Sequence, residues 1–276
     1  MKGALAGPEA VAGIRVGDVM AREYPAVDKD ETLEHAVRVM RKHDSDRVVV
    51  FEEGRLVGIM TKKDIMMKLA TLRTRNLVPG RMHVSSFMSP SPETIAPAAS
   101  IVEAAHIMVE KNIGSLPVVD GGEVIGLVTR WEVAGAAKLL EARVAEAMIN
   151  APQALKPTNK LLHARQLILK YDLLFLPVVD EGGRVVGYVT VDEVADAFLA
   201  FHEIVPEKFR KEKIEQLVVD EVMRLRPPSA SADDPLKTLV ERMEAKRAKG
   251  GVVLHEGRLA GIVTLNELVK LVAALG

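Results

Sequence analysis

Hydrophobic and polar positions follow the same order four times along the 276-residue chain. In the first copy, apolar residues have the i, i+3, i+4, i+7 spacing of one helix face: Leu33, Ala36, Val37 and Met40. Two apolar runs follow at 48–51 and 56–60, and the short turn between them contains Gly54. A second helix is predicted to begin after Thr61. Each copy therefore reads as strand, helix, strand, strand, helix.

Two short sequence signals mark these copies. The first is an apolar residue followed by Met, at Met20, Met88, Met148 and Met223. The second is Gly-apolar-apolar-Thr-x-x-acid, which begins at Gly58, Gly126, Gly187 and Gly261. The Met positions are 68, 60 and 75 residues apart and the Gly positions 68, 61 and 74. Because the two series shift together, the chain is interpreted as four copies of one unit.

Such a small α/β unit has a sheet face that it cannot cover alone. We therefore expect repeats one and two to pair, and repeats three and four to pair. The predicted repeat boundaries are 14–73, 82–141, 142–202 and 217–276. A basic insert at 68–83 lies inside the first pair, and a second insert at 203–216 lies inside the other.

Composition narrows the class of protein. Lys and Arg total 37 against 38 for Asp and Glu, so no net charge attracts nucleic acid or an anionic membrane. The chain has no Cys, which excludes disulfides and thiolate metal sites. No stretch reaches the ~18 apolar residues of a membrane helix. We expect a cytoplasmic protein without a membrane segment.

The repeated signatures cover nearly the whole chain and together resemble the cystathionine-β-synthase (CBS) domain family. The resemblance implies an α/β fold (α+β CBS repeats) in which four repeats pair into two Bateman-type modules that form a disc. It also implies ligand clefts between the copies, commonly occupied by AMP, ADP, ATP or S-adenosylmethionine. A chain of four such repeats is similar to the γ subunit of AMP-activated protein kinase and its stand-alone archaeal relatives.

The resemblance assigns roles to three sets of residues. The threonines would contact phosphate at a helix N-terminus, where free N–H groups and the helix dipole favour an anion: Thr61, Thr129, Thr190 and Thr264. The acids would accept the ribose hydroxyls: Asp64, Glu132, Glu193 and Glu267. Backbone groups of the first strand would line the adenine, around Val27, Ile95, Leu155 and Ala230. Because only the first copy has Asp at the ribose position, we hypothesise that the Asp64 site binds most tightly.

An alternative exists for each of these assignments. Thr followed by an acid at the third position is also an ordinary capping box, which requires no ligand. Three cations lie in or beside the signatures, and they either pair with phosphate or remain as surface charges: Arg47, Lys62 and Arg130. No nucleophile elbow, phosphate-binding loop or metal-ligand spacing is present, so neither an enzyme nor a metal site is expected.

The predicted function is a regulatory sensor that binds an adenine nucleotide and couples AMP, ADP or ATP levels to an unknown protein partner. No catalytic cofactor is expected, and S-adenosylmethionine remains an alternative ligand. A second alternative is nucleic-acid binding through the insert at 68–83, which carries Lys68, Arg73, Arg75 and Arg81. A third is a structural protein with degenerate sites. Formation of a homodimer is left open.

Overall fold

The computed structural model of the protein describes residues 7–69 and 79–276. The predicted end of the first repeat at residue 73, together with Arg73 and Arg75, lies outside the described residues. Every repeat contains a short N-terminal turn or helix, a first helix, a β-hairpin and a second helix. No helix in the described ranges combines the length and apolarity needed to cross a bilayer.

The elements follow one another in the same order in each repeat. After α1 (Pro8–Ala12), the first repeat contains α2 (Val16–Val19), β1 (Ala26–Asp28), α3 (Leu33–Lys42), β2 (Arg47–Glu52), β3 (Arg55–Thr61) and α4 (Lys62–Leu69). The second contains β4 (Ser89–Pro90), α5 (Ile101–Glu110), β5 (Ser115–Asp120), β6 (Glu123–Thr129) and α6 (Arg130–Ala136). The third contains α7 (Val144–Ala147), β7 (Ile149–Asn150), α8 (Leu161–Tyr171), β8 (Phe175–Val179), β9 (Val185–Thr190) and α9 (Val191–Ile204). The fourth contains β10 (Arg224–Leu225), β11 (Ser229–Ala230), α11 (Leu236–Lys246), β12 (Gly250–His255), β13 (Arg258–Thr264) and α12 (Leu265–Ala273), and α10 (Glu207–Lys213) precedes it.

The hairpin turns explain the glycines between the paired strands. Glu53 and Gly54 both have positive φ, at 49° and 78°, as does the pair Gly121 and Gly122, at 58° and 90°. Two successive positive φ angles define the type I′ turn, whose twist matches that of the flanking strands. The turn therefore fixes the register in which Arg47 pairs with Thr61 at the open end of the hairpin.

The first strand of each repeat is short. β1 runs parallel to β2 over three residue pairs, and β11 pairs with β12 over two. In the second and third repeats only single bridges form, between Ile95 and Val118 and between Leu155 and Val178.

The two repeated signals contact each other across each pair of repeats. The Met of one repeat packs on the Gly of its partner repeat, so that a Cβ on that Gly would lie 2.6–2.9 Å from the Met Sδ: Met20 on Gly126, Met88 on Gly58, Met148 on Gly261 and Met223 on Gly187. Only glycine leaves room for this contact. The contacts join repeats one and two and repeats three and four, as the pairing prediction requires.

Second helices form the contact between the two modules. Helix α4 packs on α9, while α12 packs on α5 and α6. Cores are shared accordingly, since Met66 is buried among residues of the third repeat and Leu199 among residues of the first. Arg165 donates to the carbonyls of Met66 and Met67 and so satisfies backbone acceptors at the end of α4. The predicted α/β fold, with four repeats in two modules forming a disc, is confirmed.

Candidate functional site

The threonine and the acid of each signature bind each other. Thr61 donates its N–H and its hydroxyl to Asp64 Oδ2, at 2.8 Å and 2.6 Å. Thr129 makes the same pair of bonds to Glu132 Oε2, both at 2.7 Å. Thr190 with Glu193 and Thr264 with Glu267 are bonded through the same atoms of the side chains. The signature is therefore a helix cap in all four repeats, and the cap uses one oxygen of each carboxylate.

Asp64 lies in a cavity of about 430 Å³ between repeats one and two. Thr61, Ile59 and Lys63 line it from the first repeat, and residues 89–93 line it from the second. The second module completes the wall with Leu174, Val191, Asp192, Lys249 and Leu265. The volume falls within the ~300–1,000 Å³ of small-molecule sites.

Two guanidinium groups meet in this cavity over Gly114. A Cβ on Gly114 would lie 2.7 Å from Arg130 Nη1 and 3.2 Å from Arg47 Nη1, so glycine permits the approach. Burial and the nearby charge of Arg47 lower the pKa of Arg130 to about 10, which leaves it protonated at neutral pH. Within the described part of the chain, no carboxylate forms an ion pair with Arg130. Such a cation favours an anion beside it.

Arg47, in contrast, has a full set of protein partners. Its Nε lies 2.7 Å from Asp46 Oδ1, its Nη2 lies 3.0 Å from Asp46 Oδ2, and its Nη1 donates to the Gly114 carbonyl at 2.7 Å. Burial acts to lower the pKa of Arg47, but the Asp46 carboxylate raises it above the usual value. Burial likewise opposes ionisation of Asp46, whose pKa Arg47 and Lys249 nevertheless hold well below its usual range. The charge of Arg47 is thus already compensated.

The lysines of the first signature face different ways. Lys62 Nζ lies 2.8 Å from Asp196 Oδ2 and lines a second cavity, so the structure does not place it beside the Asp64 site. Lys63 lines the Asp64 cavity instead and forms an ion pair with Asp172 of the third repeat. Adjacent residues on a helix point in directions about 100° apart, which separates the two side chains.

The other three acids line other cavities, and Glu132 also lines one of about 700 Å³. Glu132 and Glu193 share one of about 370 Å³, which we call the double-Glu cavity. Glu267 lies in another of about 250 Å³, which Arg130 also lines. Glu193 Oε1 is 3.8 Å from Arg224, and Glu267 Oε1 is 3.4 Å from Lys270. Two of the three glutamates therefore have a cation at their second oxygen.

The side chains of the predicted adenine-lining strand point away from the cavities. Four of them are buried in hydrophobic cores: Val27, Ile95, Leu155 and Ala230. Only their backbone groups remain available for the predicted role. The cavities are lined instead by the segment that follows the Met of the partner repeat, such as 89–93 beside Asp64 and 23–25 beside Glu132.

Sequence reasoning missed three charged residues at the centre of the molecule. Lys249 Nζ lies between Asp46 Oδ2 and Asp192 Oδ1, the latter at 2.9 Å. Asp46 and Lys249 both directly precede the first hairpin strand of their repeat, and Asp192 is the second residue after its Thr. The sequence shows that these residues lie close to the repeated signature, but it does not show a contact between residues about 200 positions apart. Within the described ranges, no group of His, Asp and Glu side chains could hold a metal ion.

Curated relatives match parts of this chain. The CBS domain-containing protein YhcV of Bacillus subtilis is 29% identical over 119 residues, which cover 43% of the chain and 82% of the relative. The L-aspartate semialdehyde sulfurtransferase of Methanocaldococcus jannaschii is 33% identical over 116 residues, or 42% of the chain and 23% of the enzyme. The match thus spans less than a quarter of this sulfurtransferase, and of a homoserine O-acetyltransferase of Methanohalobium evestigatum, but most of YhcV.

Two solved structures match nearly the whole chain. Protein MJ1225 of Methanocaldococcus jannaschii, a candidate archaeal homolog of g-AMPK, has a TM-score of 0.78 and 22% identity, and the match covers 94% of this chain and 99% of that one. An uncharacterised conserved protein of Pyrococcus horikoshii has a TM-score of 0.62 and 19% identity, covering 94% and 100%. At these identities the likeness concerns the fold.

A model of the family described as "CBS domain" matches four segments that together make up most of the sequence. These are residues 16–71, 84–138, 144–200 and 207–274, one segment for each structural repeat. The chain belongs to the CBS domain family.

Proposed function

We propose that this CBS regulatory protein binds an adenine nucleotide in the Asp64 cavity and transmits its occupancy to a protein partner. The observation that carries the proposal is Arg130, a partly buried cation without a carboxylate partner among the described residues, facing the same cavity as Asp64. The cavity thereby offers an acceptor for hydroxyl donors and a cation for an anion. A nucleotide has both groups.

At the sugar end, the cap leaves one oxygen of Asp64 for a ligand. Oδ2 accepts both bonds from Thr61, so Oδ1 is the oxygen that could accept a ribose hydroxyl. A hydrogen bond to a charged carboxylate contributes about 1.5–3 kcal/mol. The Thr61 hydroxyl already donates to Asp64, so its proposed contact with a phosphate oxygen, which is itself an acceptor, would require the hydroxyl to rotate away from Asp64.

Arg130 supplies the positive charge for a phosphate, since Lys63 is already paired with Asp172, and Pro90, Pro92 and Trp131 of the same cavity offer apolar surface for a base. An adenosyl sulfonium would bring a positive charge toward Arg130, which like-charge repulsion disfavours. The charge of the cavity therefore supports AMP, ADP or ATP over S-adenosylmethionine.

The test uses Trp131, the single tryptophan of the chain, as a reporter, because it lines the cavity. Fluorescence titration and calorimetry with AMP, ADP, ATP and S-adenosylmethionine should detect binding of the nucleotides. Arg130→Met should weaken AMP binding about tenfold or more, since a charge-assisted bond is lost. Arg38→Met is the matched control, because Arg38 is exposed and pairs with Glu34 of its own helix. Wild-type affinity in the Arg130 variant, or no binding of any of the four ligands, would contradict the proposal.

A further inference from the structure

The Asp64 cavity and the double-Glu cavity have a common wall. Five residues line both cavities: Asp46, Arg47, Trp131, Asp192 and Lys249. The wall draws on all four repeats, since the first supplies Asp46 and Arg47 and the others supply Trp131, Asp192 and Lys249. A change of charge on one side of this wall therefore acts on the other side at close range.

Lys249 holds the wall together. Its side chain is only 7% exposed, and its ammonium group bridges Asp46 of the first module and Asp192 of the second. Burial and the nearby Asp46 raise the pKa of Asp192, while Lys249 acts to lower it. The two carboxylates thus repel each other, and the ammonium group between them offsets the repulsion.

The cations on the side of the double-Glu cavity are already compensated. Each of its five cationic residues forms an ion pair with a carboxylate: Arg47 with Asp46, Lys62 with Asp196, Arg224 with Glu193, Arg247 with Asp44, and Lys249 with both Asp46 and Asp192. Glu132 lines the same cavity, and no cation pairs with it among the described residues. An anion entering there meets little uncompensated positive charge. The shared lysine is the charge for which both cavities compete.

We propose that the ion pair between Asp192 and Lys249 sets the anion affinity of both cavities together, so that an anion in the Asp64 cavity weakens anion binding in the double-Glu cavity. The proposal rests on the proposed function for its natural ligand, but its electrostatics apply to any small anion. One buried lysine, already shared by two carboxylates, can compensate one further anion better than two. The chain therefore binds one nucleotide tightly and a second one weakly.

Two single variants should change the anion affinities of the cavities in opposite directions. Asp192→Asn removes a negative charge from the wall and should tighten anion binding in both cavities, on the order of tenfold in each. Lys249→Met leaves Asp46 and Asp192 facing each other and should weaken both by a similar factor. The double variant removes the pair without changing net charge, and its affinities should return to within about threefold of wild type.

The probes are AMP and inorganic pyrophosphate, titrated on the full chain by Trp131 fluorescence and by calorimetry for stoichiometry. Exposed residues of the fourth repeat provide matched controls, Asp233→Asn and Lys237→Met, which make the same change of net charge outside the wall. If Lys249→Met does not fold, Asp192→Asn and the double variant carry the comparison.

Opposite shifts of the two single variants, seen in both binding steps and absent in the controls, support the proposal. Affinities that follow the controls, or that change in only one cavity, overturn it. If the pyrophosphate affinities shift as described but AMP does not bind, the coupling between the two cavities is supported and an adenine nucleotide is rejected as the ligand. Absence of binding for both probes in the wild-type chain overturns the coupling as well.

Discussion

The first repeats of the two modules use one hairpin position in opposite ways. Arg47 pairs in register with Thr61, and Phe175 pairs in the same way with Thr190. Arg47 crosses to the second repeat and donates to a carbonyl at the edge of the Asp64 cavity. Phe175 crosses to the fourth repeat, packs against Gly250 and stacks on Tyr188 with ring centroids 5.1 Å apart. The same scaffold thus leaves a polar cavity in one module and a filled core in the other.

The difference extends to the acid of each signature. Asp64 and Glu193 both line a cavity, but Glu193 lies 3.8 Å from Arg224, whose guanidinium stands 5.3 Å above the Tyr188 ring. Arg224 therefore provides Glu193 with the partner that a ligand would otherwise supply. A signature shared by four repeats specifies a helix cap everywhere, while the residues around it decide whether the acid already has a cationic partner. Three predictions test this comparison, beginning with the largest effect.

The largest predicted effect is the loss of stability on replacing Phe175 in the core of the second module. Phe175→Ala removes a fully buried ring and should lower the free energy of unfolding by about 3–5 kcal/mol. Urea denaturation followed by circular dichroism measures the change. Phe209→Ala, which truncates a ring that is 43% exposed, should have a much smaller effect. Equal losses in the two variants would show that the filled core does not stabilise the second module.

Removing the acid should weaken the tightest AMP site only when the acid removed is Asp64. Asp64→Ala should weaken AMP binding by at least about tenfold, because a charge-assisted bond to the ribose is lost. Glu193→Ala removes an equivalent helix cap and should lower the free energy of unfolding by about 0.5–2 kcal/mol. It should leave the affinity of the tightest AMP site unchanged. Calorimetric titration of both variants provides the comparison. A large loss in the Glu193 variant with none in the Asp64 variant would reverse the ranking of the two sites.

The smallest predicted effect is a pH dependence of stability that arises from His202 in the second module. His202 is 2% exposed, and burial together with Arg210 lowers its pKa below the usual 6.5. The unfolded chain therefore binds a proton at this histidine more readily than the folded chain. The free energy of unfolding has its full value above pH 6.5 and falls as the pH drops from 6.5 toward the lowered pKa of His202. Thermal melts at pH 7.5 and 5.5 should therefore differ less for His202→Leu than for wild type. An identical difference in both would assign the pH response to other groups.

Sequence alone determined the repeat, its elements and its pairing. The i, i+3, i+4, i+7 spacing of Leu33 to Met40 defined a buried helix face, and two-residue turns such as Glu53-Gly54 defined the hairpins. The spacing of Met20 and Gly126 reflected a contact that sterically requires glycine. These features depend on local periodicity or on one close contact repeated four times, so they leave a signal along the chain.

Only the tertiary structure decided which charges serve a cavity. Nothing in the sequence distinguished Arg130, without a carboxylate partner among the described residues, from Arg47, whose charge Asp46 compensates. Lys249 reaches Asp46 across 203 residues of sequence. Such contacts depend on side-chain direction and on how two modules pack together, and neither follows a period that a sequence could display. The sequence therefore determined where a ligand site could form, and the packing of the two modules determined its charge.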